Sequence, residues 1–534
     1  MTRASDFEDS VAAVTFDLDD ESVAVIIGSG AGGGTLANEL AQKGIDVVLL
    51  EAGPRIEMDD FVNDEVEMAE KLIWSDKRKA SGNRASVKAY PDAPAWVCKT
   101  VGGSTVHWTG TCPRIRDTEF KARSTYGEIP GTNLMDWPIT LSDIEPYYVR
   151  AEDKLGVTGT HGIPYFPGNN NFKVFAHGAK RVGYEQVTTG HYAINPVPRD
   201  GRNACDQIGY CVQGCKSGAK WSTLYTEIPR AEDTGRCEVR PNSMVLEIRH
   251  NAAGRADSVL YADHSGNHHL QKARIVCVAG NSIETPRLLL NSASNQFPDG
   301  LANSSGEVGK NFMTHVEAGV FATFDKPVNW YRGRQAAGAV WDEAPFNPQR
   351  GFVGGYYMLV FHMGLYGLAA ALDPKGWGAS YSSILENYEF MAGSSMVGED
   401  MPTPLNYVSL ETDTLDHHGK PIPHIHQDDH ANDHTMRNHY LKQISAVYDA
   451  AGANSLTEWR AYPTGHNLGT CRMSENPRDG VVNSFGQSHD IPNLFISDGS
   501  QFTTGAAANP TLTIIALVIR QAEYIADKMR SNEI

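Results

Sequence analysis

The sequence lacks any hydrophobic run long enough to cross a membrane. Its longer apolar stretches, such as residues 513–519, fall far short of the roughly 20 residues that span a bilayer. The first ten residues also lack the basic and then apolar order of a secretory signal. We therefore expect no direct membrane span and a soluble chain, either cytoplasmic or carried to the periplasm or a membrane by co-export with a partner subunit.

Positive charge is scarce as well. The 534 residues include 46 Lys and Arg against 64 Asp and Glu, which gives a net charge of −18. A surface of that sign repels a phosphate backbone, so nucleic acid is not an expected partner. Apolar residues make up 41% of the chain and charged residues 21%, a mixture typical of globular proteins. The length predicts more than one domain around a sizeable core.

Cysteine is also sparse, with eight residues in the whole chain, too few for a disulfide scaffold. Three of them, Cys205, Cys211 and Cys215, nevertheless fall within one glycine-rich loop, residues 203–220. Three thiolates at this spacing suit an iron-sulfur cluster, and three ligands rather than four favour the 3Fe-4S form. The alternatives are a zinc site, which usually needs a fourth ligand, or free thiols in a turn.

The first regular pattern is a strand, helix and strand near the start of the chain. Residues 23–27 and 45–50 are apolar runs typical of strands buried on both faces, and residues 36–43 favour a helix between them. Similar apolar runs return at residues 275–279 and 494–497. We therefore predict an α/β fold in which a Rossmann-like domain is discontinuous and is completed by the C-terminal segment.

The turn between the first strand and the helix carries Gly28, Gly30 and Gly33 in the order G-x-G-x-x-G, and Glu51 ends the second strand. Glycines allow the backbone to approach a pyrophosphate, and the helix N-terminus favours its charge. Glu51 can accept hydrogen bonds from ribose hydroxyls. These residues predict a dinucleotide site, with a glycine-rich packing turn as the alternative.

The same patterns suggest a division of the chain. Residues 1–22 are predicted to form an acidic N-terminal arm, and residues 23–315 with 456–534 to form the nucleotide-binding domain. Residues 316–455, with parts of 56–200, have irregular apolar spacing and many Gly, Pro and aromatic residues. They are predicted to form an α+β substrate-binding domain.

Five blocks, spread from the first hundred residues to the C-terminus, carry a resemblance to a known family. They are residues 98–108 (CKTVGGSTVHW), 282–289 (SIETPRLL), 466–473 (HNLGTCRM), 493–500 (NLFISDGS) and 509–511 (NPT). In content and order, the blocks resemble the signatures of the glucose-methanol-choline oxidoreductases. The resemblance implies a flavoenzyme that oxidises an alcohol group.

The resemblance also implies that the dinucleotide is FAD. Gly102, Gly103 and Ser104 would then line the flavin, Val245 would meet the adenine through its backbone, and Asp498 would face the ribityl or pyrophosphate region. The family likeness alone assigns these roles.

His107 occupies the position where some relatives, including those similar to pyranose oxidase, attach FAD through a histidine to the flavin methyl carbon. The alternative is a histidine that only packs beside the ring. The sequence leaves both possibilities open.

Alcohol oxidation needs a base that accepts the hydroxyl proton, and imidazole titrates near neutrality. Among 19 histidines, His466 lies in the block that resembles the family's catalytic histidine. Asn509 precedes Pro510 and a long amphipathic stretch, so it could simply cap a helix. The resemblance instead makes Asn509 the second active-site residue, bonded to the substrate oxygen.

The cysteine loop resembles the cluster loop of bacterial FAD-dependent glucose and fructose dehydrogenase subunits. We therefore expect a dehydrogenase that oxidises a hydroxyl group of a sugar, glycoside or polyol and passes electrons through the cluster. A small subunit, a cytochrome or an external acceptor would receive them, because the chain has no C-x-x-C-H haem motif. The alternative is a sugar oxidase similar to pyranose oxidase, which forms hydrogen peroxide.

Overall fold

The computed structural model describes residues 14–372, 377–460, 462–463 and 465–534. Its strands are β1 (Ala24–Ile27), β2 (Val47–Leu50), β3 (Lys79–Ser81), β4 (Val187–Thr188), β5 (Cys237–Arg240), β6 (Met244–His250), β7 (Ala256–Ala262), β8 (His268–Lys272), β9 (Ile275–Val278), β10 (His315–Val316), β11 (Gly319–Thr323), β12 (Ala336–Val340), β13 (Tyr356–Phe361), β14 (Met391–Glu399), β15 (Tyr407–Leu415), β16 (Pro421–His426), β17 (Ser455–Trp459) and β18 (Leu494–Ile496). Its helices are α1 (Ala31–Gln42), α2 (Glu65–Leu72), α3 (Ala85–Ala89), α4 (Asp117–Phe120), α5 (Ala122–Tyr126), α6 (Leu141–Leu155), α7 (Asn170–Arg181), α8 (Glu227–Glu232), α9 (Asn281–Asn291), α10 (Leu365–Leu372), α11 (Ala379–Glu386), α12 (Ala431–Ala451) and α13 (Thr511–Arg530).

A five-stranded parallel sheet lies at the centre, in the order β18-β9-β1-β2-β5. Its first four strands are buried along their whole length, which is why they read as continuous apolar runs. The order places β18, from the C-terminal part of the chain, beside β9. The prediction of a Rossmann-like sheet completed by the C-terminal segment is confirmed.

Successive residues of this sheet enter two different cores. Val25 and Ile27 of β1 pack in a cluster with residues of α6, whereas Ala24 and Ile26 pack in a cluster with residues of α1 and α8. Helix α13 contributes to both clusters and contacts α1 and α6. Each face of the sheet is therefore covered by helices, as a parallel sheet requires.

A second, antiparallel sheet has the order β17-β11-β14-β13-β12-β4, and β10 pairs with the end of β14. Its central strand β14 is buried throughout, and helices α7 and α12 pack against the sheet in a core of their own. Helix α12 begins after His430, whose side chain accepts from the amide of Asn432, and ends at Gly452, which has a left-handed conformation. This sheet is the α+β part that the sequence predicts.

Two three-stranded sheets, β15-β16-β3 and β6-β7-β8, complete the described strands. The fold class predicted from the sequence is thus confirmed, while the exact domain boundaries stay a prediction. Of the predicted N-terminal arm, residues 1–13 lie outside the described residues. Within the rest, Phe16 packs against the core and its amide donates to Glu238 at 2.8 Å.

Within the described part of the chain, no helix is both long and apolar enough to cross a membrane.

The closest approach between α1 and the sheet depends on Gly32. A Cβ atom at this position would lie 1.7 Å from the carbonyl oxygen of Ser497, directly after β18. A Cβ atom at Gly33 would lie 1.8 Å from the carbonyl oxygen of Gly28. Both obstacles are backbone atoms, so a side chain at either position would push the helix off the sheet.

Gly32→Ala is therefore expected to destabilise the protein by at least about 1–3 kcal/mol, the usual cost of overpacking a closed interface. Thermal unfolding measures the effect as a lower melting temperature. Gly367→Ala is the matched control, because its new methyl group would meet nothing closer than 3.6 Å. Equal melting temperatures for the two variants would contradict this account of α1.

Candidate active site

A cavity of about 390 Å³ lies at the carboxyl ends of the parallel strands. Ile27, Leu50 and Val278, the last residues of β1, β2 and β9, all line it. The start of α1 forms one wall, and Asn509 and Thr511 at the start of α13 form part of another. Such a crevice is the usual ligand site of an open parallel sheet, and two helix N-termini at its edge favour negative charge.

Two glycine segments meet in this cavity. Gly28, Gly30 and Gly103 line it, and a Cβ atom at Gly103 would lie 2.7 Å from the Cα atom of Gly30. Gly33 and Gly102 are not part of the lining. Gly33 instead allows the helix to pack closely, and Gly102 adopts a φ of +95° that favours glycine.

Glu51 also lines the cavity, as predicted. Its carboxylate accepts hydrogen bonds from the amide of Ser29 at 3.0 Å, the hydroxyl of Ser29 at 2.6 Å and the amide of Gly53 at 3.0 Å. Burial raises the pKa of Glu51, and these hydrogen bonds partly oppose that shift. Through these hydrogen bonds, Glu51 holds the glycine turn in place.

Asp498 and Val245 lie in the lining too. Asp498 accepts hydrogen bonds from the amide of Asn281 at 2.9 Å and the amide of Ser500 at 2.8 Å. It therefore joins the start of α9 to the turn after β18. Ser104 lines the cavity beside its neighbour in sequence, Gly103. The structure brings these predicted residues to one cavity, and their individual contacts with FAD stay predictions.

His107 is buried in the wall of the cavity, and its Nε2 atom has no hydrogen-bond partner among the described residues. Burial, assisted by the positive charge of Lys220, lowers the pKa of His107 to about 3. The imidazole is thus neutral. A buried polar atom without a partner is rare and indicates that a ligand completes the site. Together with the glycine cradle, it fits the FAD that the sequence predicts.

His466 and Asn509 lie together in the lining, although 43 positions separate them in the chain. The amide nitrogen Nδ2 of Asn509 lies 3.0 Å from Nε2 of His466. An amide nitrogen can only donate, so Nε2 of His466 accepts and carries no proton. Burial lowers the pKa of His466 well below 6.5, which keeps this ring neutral and able to take up a proton.

The orientation of Asn509 is fixed by Tyr357, which sequence reasoning missed. The hydroxyl group of Tyr357 donates to Oδ1 of Asn509, so the amide turns its Nδ2 toward His466. The residue directly before α13 is Pro510, and Asn509 does not cap the helix with its side chain. Asn509 is therefore not a simple helix cap.

His315 is a second residue that the sequence did not reveal. It lies in β10, is buried, and has its Nδ1 atom 2.8 Å from Nδ1 of His466. The two rings are almost perpendicular, with their centroids 4.8 Å apart. None of the five blocks recognised in the sequence contains His315, and the fold places it beside His466.

Aromatic side chains form the wall around this group. Trp96 makes an edge contact with His107 at 5.6 Å and stacks on Tyr462 at 6.2 Å. Trp459 continues the series, 6.4 Å from Tyr462 and 6.1 Å from Phe361. All of these side chains line the cavity. They give the cavity that His466 also lines an apolar wall.

The loop with Cys205, Cys211 and Cys215 lies behind the wall that contains His107. Lys220 connects the two, because its ammonium group donates to the carbonyl oxygens of Val106 and Trp108 at 2.8 Å each, and also to that of Cys211. Burial raises the pKa of Cys205 and of Cys211, and the neighbouring thiols of the loop raise it further.

The cysteines do not, however, form a ready-made metal centre. Throughout the described residues, no group of three or more His, Cys, Asp or Glu side chains is arranged to hold a metal ion. Cys205 and Cys215 instead accept hydrogen bonds from the amides of Gln207 and Lys220, each at 3.4 Å. The chemistry of the donor set fits a cluster, but the 3Fe-4S prediction is not confirmed by the geometry.

Two protein-family models described as GMC oxidoreductase match this chain, over residues 79–317 and 402–517. A model of an NAD(P)-binding Rossmann-like domain matches residues 26–67, which contain the glycine turn. These matches cover the glycine segments, the cysteine loop, His466 and Asn509.

Characterised relatives match along nearly the full length. A 2-methyl-1,2-propanediol dehydrogenase from Mycolicibacterium austroafricanum is 33% identical over 95% of both chains. The fructose dehydrogenase large subunit of Gluconobacter japonicus is 28% identical over 95% of this chain and 98% of its own. The solved structure of an Aspergillus oryzae formate oxidase matches with a TM-score of 0.66 at 16% identity, over 96% of this chain and all of the other, which shows the same fold.

Proposed function

Because this chain belongs to the GMC oxidoreductase family, and so is an FAD-dependent oxidoreductase of alcohols or sugars, we propose that it is a dehydrogenase. Its substrate is a sugar, glycoside or polyol, of which one hydroxyl group is oxidised to a carbonyl. The observation that carries this proposal is the pair of His466 and Asn509, 3.0 Å apart in the cavity that the glycine turn also lines.

The pair can hold a hydroxyl group in one orientation. When substrate binds, its O–H replaces Asn509 as the donor to Nε2 of His466, and the substrate oxygen accepts the hydrogen bond of Nδ2 of Asn509 instead. His466 then takes the hydroxyl proton, and Asn509 stabilises the charge that develops on the oxygen. Bound FAD would supply the hydride acceptor, at its N5 atom, and the glycine turn with Glu51, Asp498 and Val245 would hold it.

The substrate class is supported by the relatives and by the cavity wall. The two relatives named above act on a diol and on a sugar, both of which carry several hydroxyl groups. The rings of Trp96, Trp459 and Tyr462 offer flat apolar surfaces for the C–H faces of such molecules. The hydroxyl group that reaches His466 is then the one that reacts.

His107 is proposed to bind FAD covalently through the flavin methyl carbon. His107 lines the cavity, and its buried Nε2 atom has no hydrogen-bond partner among the described residues. The low pKa of the ring leaves a lone pair free on the unprotonated nitrogen at neutral pH. These are the properties that a histidine needs in order to form this bond.

The cysteine loop is proposed to hold a 3Fe-4S cluster. It supplies three thiols within electrostatic reach of one another, and Lys220 and Arg334 place positive charge nearby. Such a cluster would accept single electrons and deliver them to a partner, either a cytochrome, a companion subunit or an external acceptor. An oxidase would instead use oxygen and release hydrogen peroxide.

His466→Ala is expected to slow reduction of the bound flavin by substrate by a factor of about 10²–10⁴, because the general base is lost. Stopped-flow absorbance under anaerobic conditions measures this step. In the unmodified enzyme, reduction should stay fast as the pH falls through 6.5 and fail only well below it, because the pKa of His466 is lowered by burial.

The matched control is His177→Ala, which removes an exposed histidine of α7 and should leave the rate unchanged. Near-normal reduction by His466→Ala would refute the role of His466. If no alcohol or sugar reduced the flavin of the unmodified enzyme, the proposed function itself would be wrong.

For His107, we expect the yellow colour to remain with the protein after acid denaturation and filtration. His107→Ala should release all of its flavin under the same conditions. Flavin absorbance of the filtrate measures the outcome. Complete release from the unmodified protein would leave His107 as a packing residue.

Cys211→Ser should remove the cluster iron, because a hydroxyl group is a poor substitute for a soft thiolate. Flavin reduction by substrate should continue, whereas electron delivery to a one-electron acceptor protein should collapse. Ile208→Ala, which shortens an exposed side chain on the same loop, is the control and should keep its iron. Iron analysis and electron paramagnetic resonance test this, and fewer than about three irons per anaerobically purified chain would contradict the cluster.

A further inference from the structure

His315 and His466 are held opposite each other by the backbone. Met313 and Leu468 exchange two backbone hydrogen bonds, of 3.0 and 2.9 Å, in an antiparallel bridge. His315 follows Met313 by two residues, and His466 precedes Leu468 by two. The antiparallel register therefore places His315 and His466 opposite each other on neighbouring segments, and this brings their Nδ1 atoms to 2.8 Å.

The proton on His315 can be located from its other neighbour. Nε2 of His315 lies 3.0 Å from the carbonyl oxygen of Ala506. A carbonyl oxygen only accepts, so Nε2 of His315 carries a proton and donates it. Burial lowers the pKa of His315 to about 4, so the ring is neutral and has no second proton. Its Nδ1 atom therefore presents a lone pair to His466.

This lone pair determines the state of His466. Nδ1 of His466 must donate to Nδ1 of His315, since two lone pairs at 2.8 Å would repel. A neutral imidazole has only one N–H group, so Nε2 of His466 is then unprotonated. The contact with Nδ2 of Asn509 requires the same state, on independent grounds.

We propose that His315 is a positioning residue that selects the tautomer of His466, so that the unprotonated Nε2 atom faces the substrate. The proposal rests on the proposed function, because it assigns His315 a task in the reaction that His466 begins. When His466 takes the hydroxyl proton on Nε2, its Nδ1–H continues to donate to His315. The neutral ring of His315 thus holds the imidazolium in place without adding a permanent charge.

The carbonyl group of Ala506, which keeps the proton of His315 on Nε2, is itself held in place. Ala506 has a φ of +53°, an unusual conformation for alanine that turns its carbonyl toward His315. The next amide, of Ala507, donates to the buried carboxylate of Glu119 at 2.8 Å. The structure therefore holds this strained turn with a buried hydrogen bond, as expected where backbone geometry serves a site.

The segment before His315 is anchored equally firmly. Thr314 donates its amide to Asp400 at 2.9 Å, and its hydroxyl oxygen accepts from Arg84 at 2.7 Å. Arg84 is buried and also pairs with Asp400 and Asp433. A shift of His315 would therefore disturb these buried ion pairs.

The test uses the complete flavoenzyme labelled with nitrogen-15 on histidine. Two-bond proton–nitrogen correlation spectra distinguish the two neutral tautomers, and His466→Gln identifies the signals of His466. We expect the Nδ1–H tautomer of His466 in the unmodified enzyme. A dominant Nε2–H tautomer there would overturn the proposal without any measurement of activity.

His315→Leu removes the acceptor, so the spectrum of His466 should change to a mixture of tautomers. The rate constant of flavin reduction should fall by a factor of about 10²–10³, while the substrate dissociation constant changes by less than about threefold. His315→Gln should restore most of the rate, because its amide can accept from His466 and donate to Ala506. An unchanged tautomer and rate in His315→Leu would overturn the proposal.

His362→Leu serves as the structural control. His362 is also buried, its Nε2 atom bonds the carbonyl oxygen of Gly333 at 3.3 Å, and burial lowers its pKa to about 4. If His362→Leu slowed flavin reduction as much as His315→Leu, the effect would be general destabilisation and the proposal would fail. If the spectra agree with the proposal but no alcohol reduces the flavin, the proposed function fails instead.

Discussion

The contact between Gly32 and the carbonyl group of Ser497 is the constraint on which the active site depends. It allows α1 to lie directly against the end of β18 and so joins the N-terminal segment of the chain to its C-terminal part. The glycine turn comes from one side of this joint, and His466 and Asn509 come from the other. A single methyl group at Gly32 would separate them, because the obstacle is backbone rather than a movable side chain.

Burial then keeps the histidines of the active site neutral. His107 and His466 line the cavity, His315 lies against His466, and burial lowers the pKa of all three imidazoles. Neutral rings are necessary here, since a protonated His466 could not accept a proton and a protonated His315 could not accept from His466. Desolvation disfavours the charged ring of His466, and so it keeps this base unprotonated and able to accept a proton.

Much of this arrangement could be predicted from the sequence. Long apolar runs indicated the parallel strands, and the spacing of Gly28, Gly30 and Gly33 indicated the turn and the helix. His466 and Asn509 could be found because each lies in a recognisable block. His315 was not found, since it lies outside the five recognised blocks and approaches His466 through the register of Met313 with Leu468.

Other features depend on contacts between distant segments in the same way. The orientation of Asn509 is fixed by Tyr357, which lies 152 positions away. The three cysteines were recognisable by spacing, yet spacing does not determine how their thiols turn in a loop held by its own amides. Side-chain direction in irregular segments is set by tertiary packing, which periodicity does not report.

Lys220 shows how the cysteine loop and the cavity become parts of one rigid unit. This residue is only 1% exposed, and burial lowers its pKa to about 8. An isolated charge at such depth would be strongly unfavourable, but the carbonyl oxygens of Val106, Trp108 and Cys211 all accept from its ammonium group. Two of these carbonyls flank His107. The segment that presents His107 to the cavity therefore cannot shift without displacing the loop of cysteines, so that loop lies directly behind the cavity wall that contains His107.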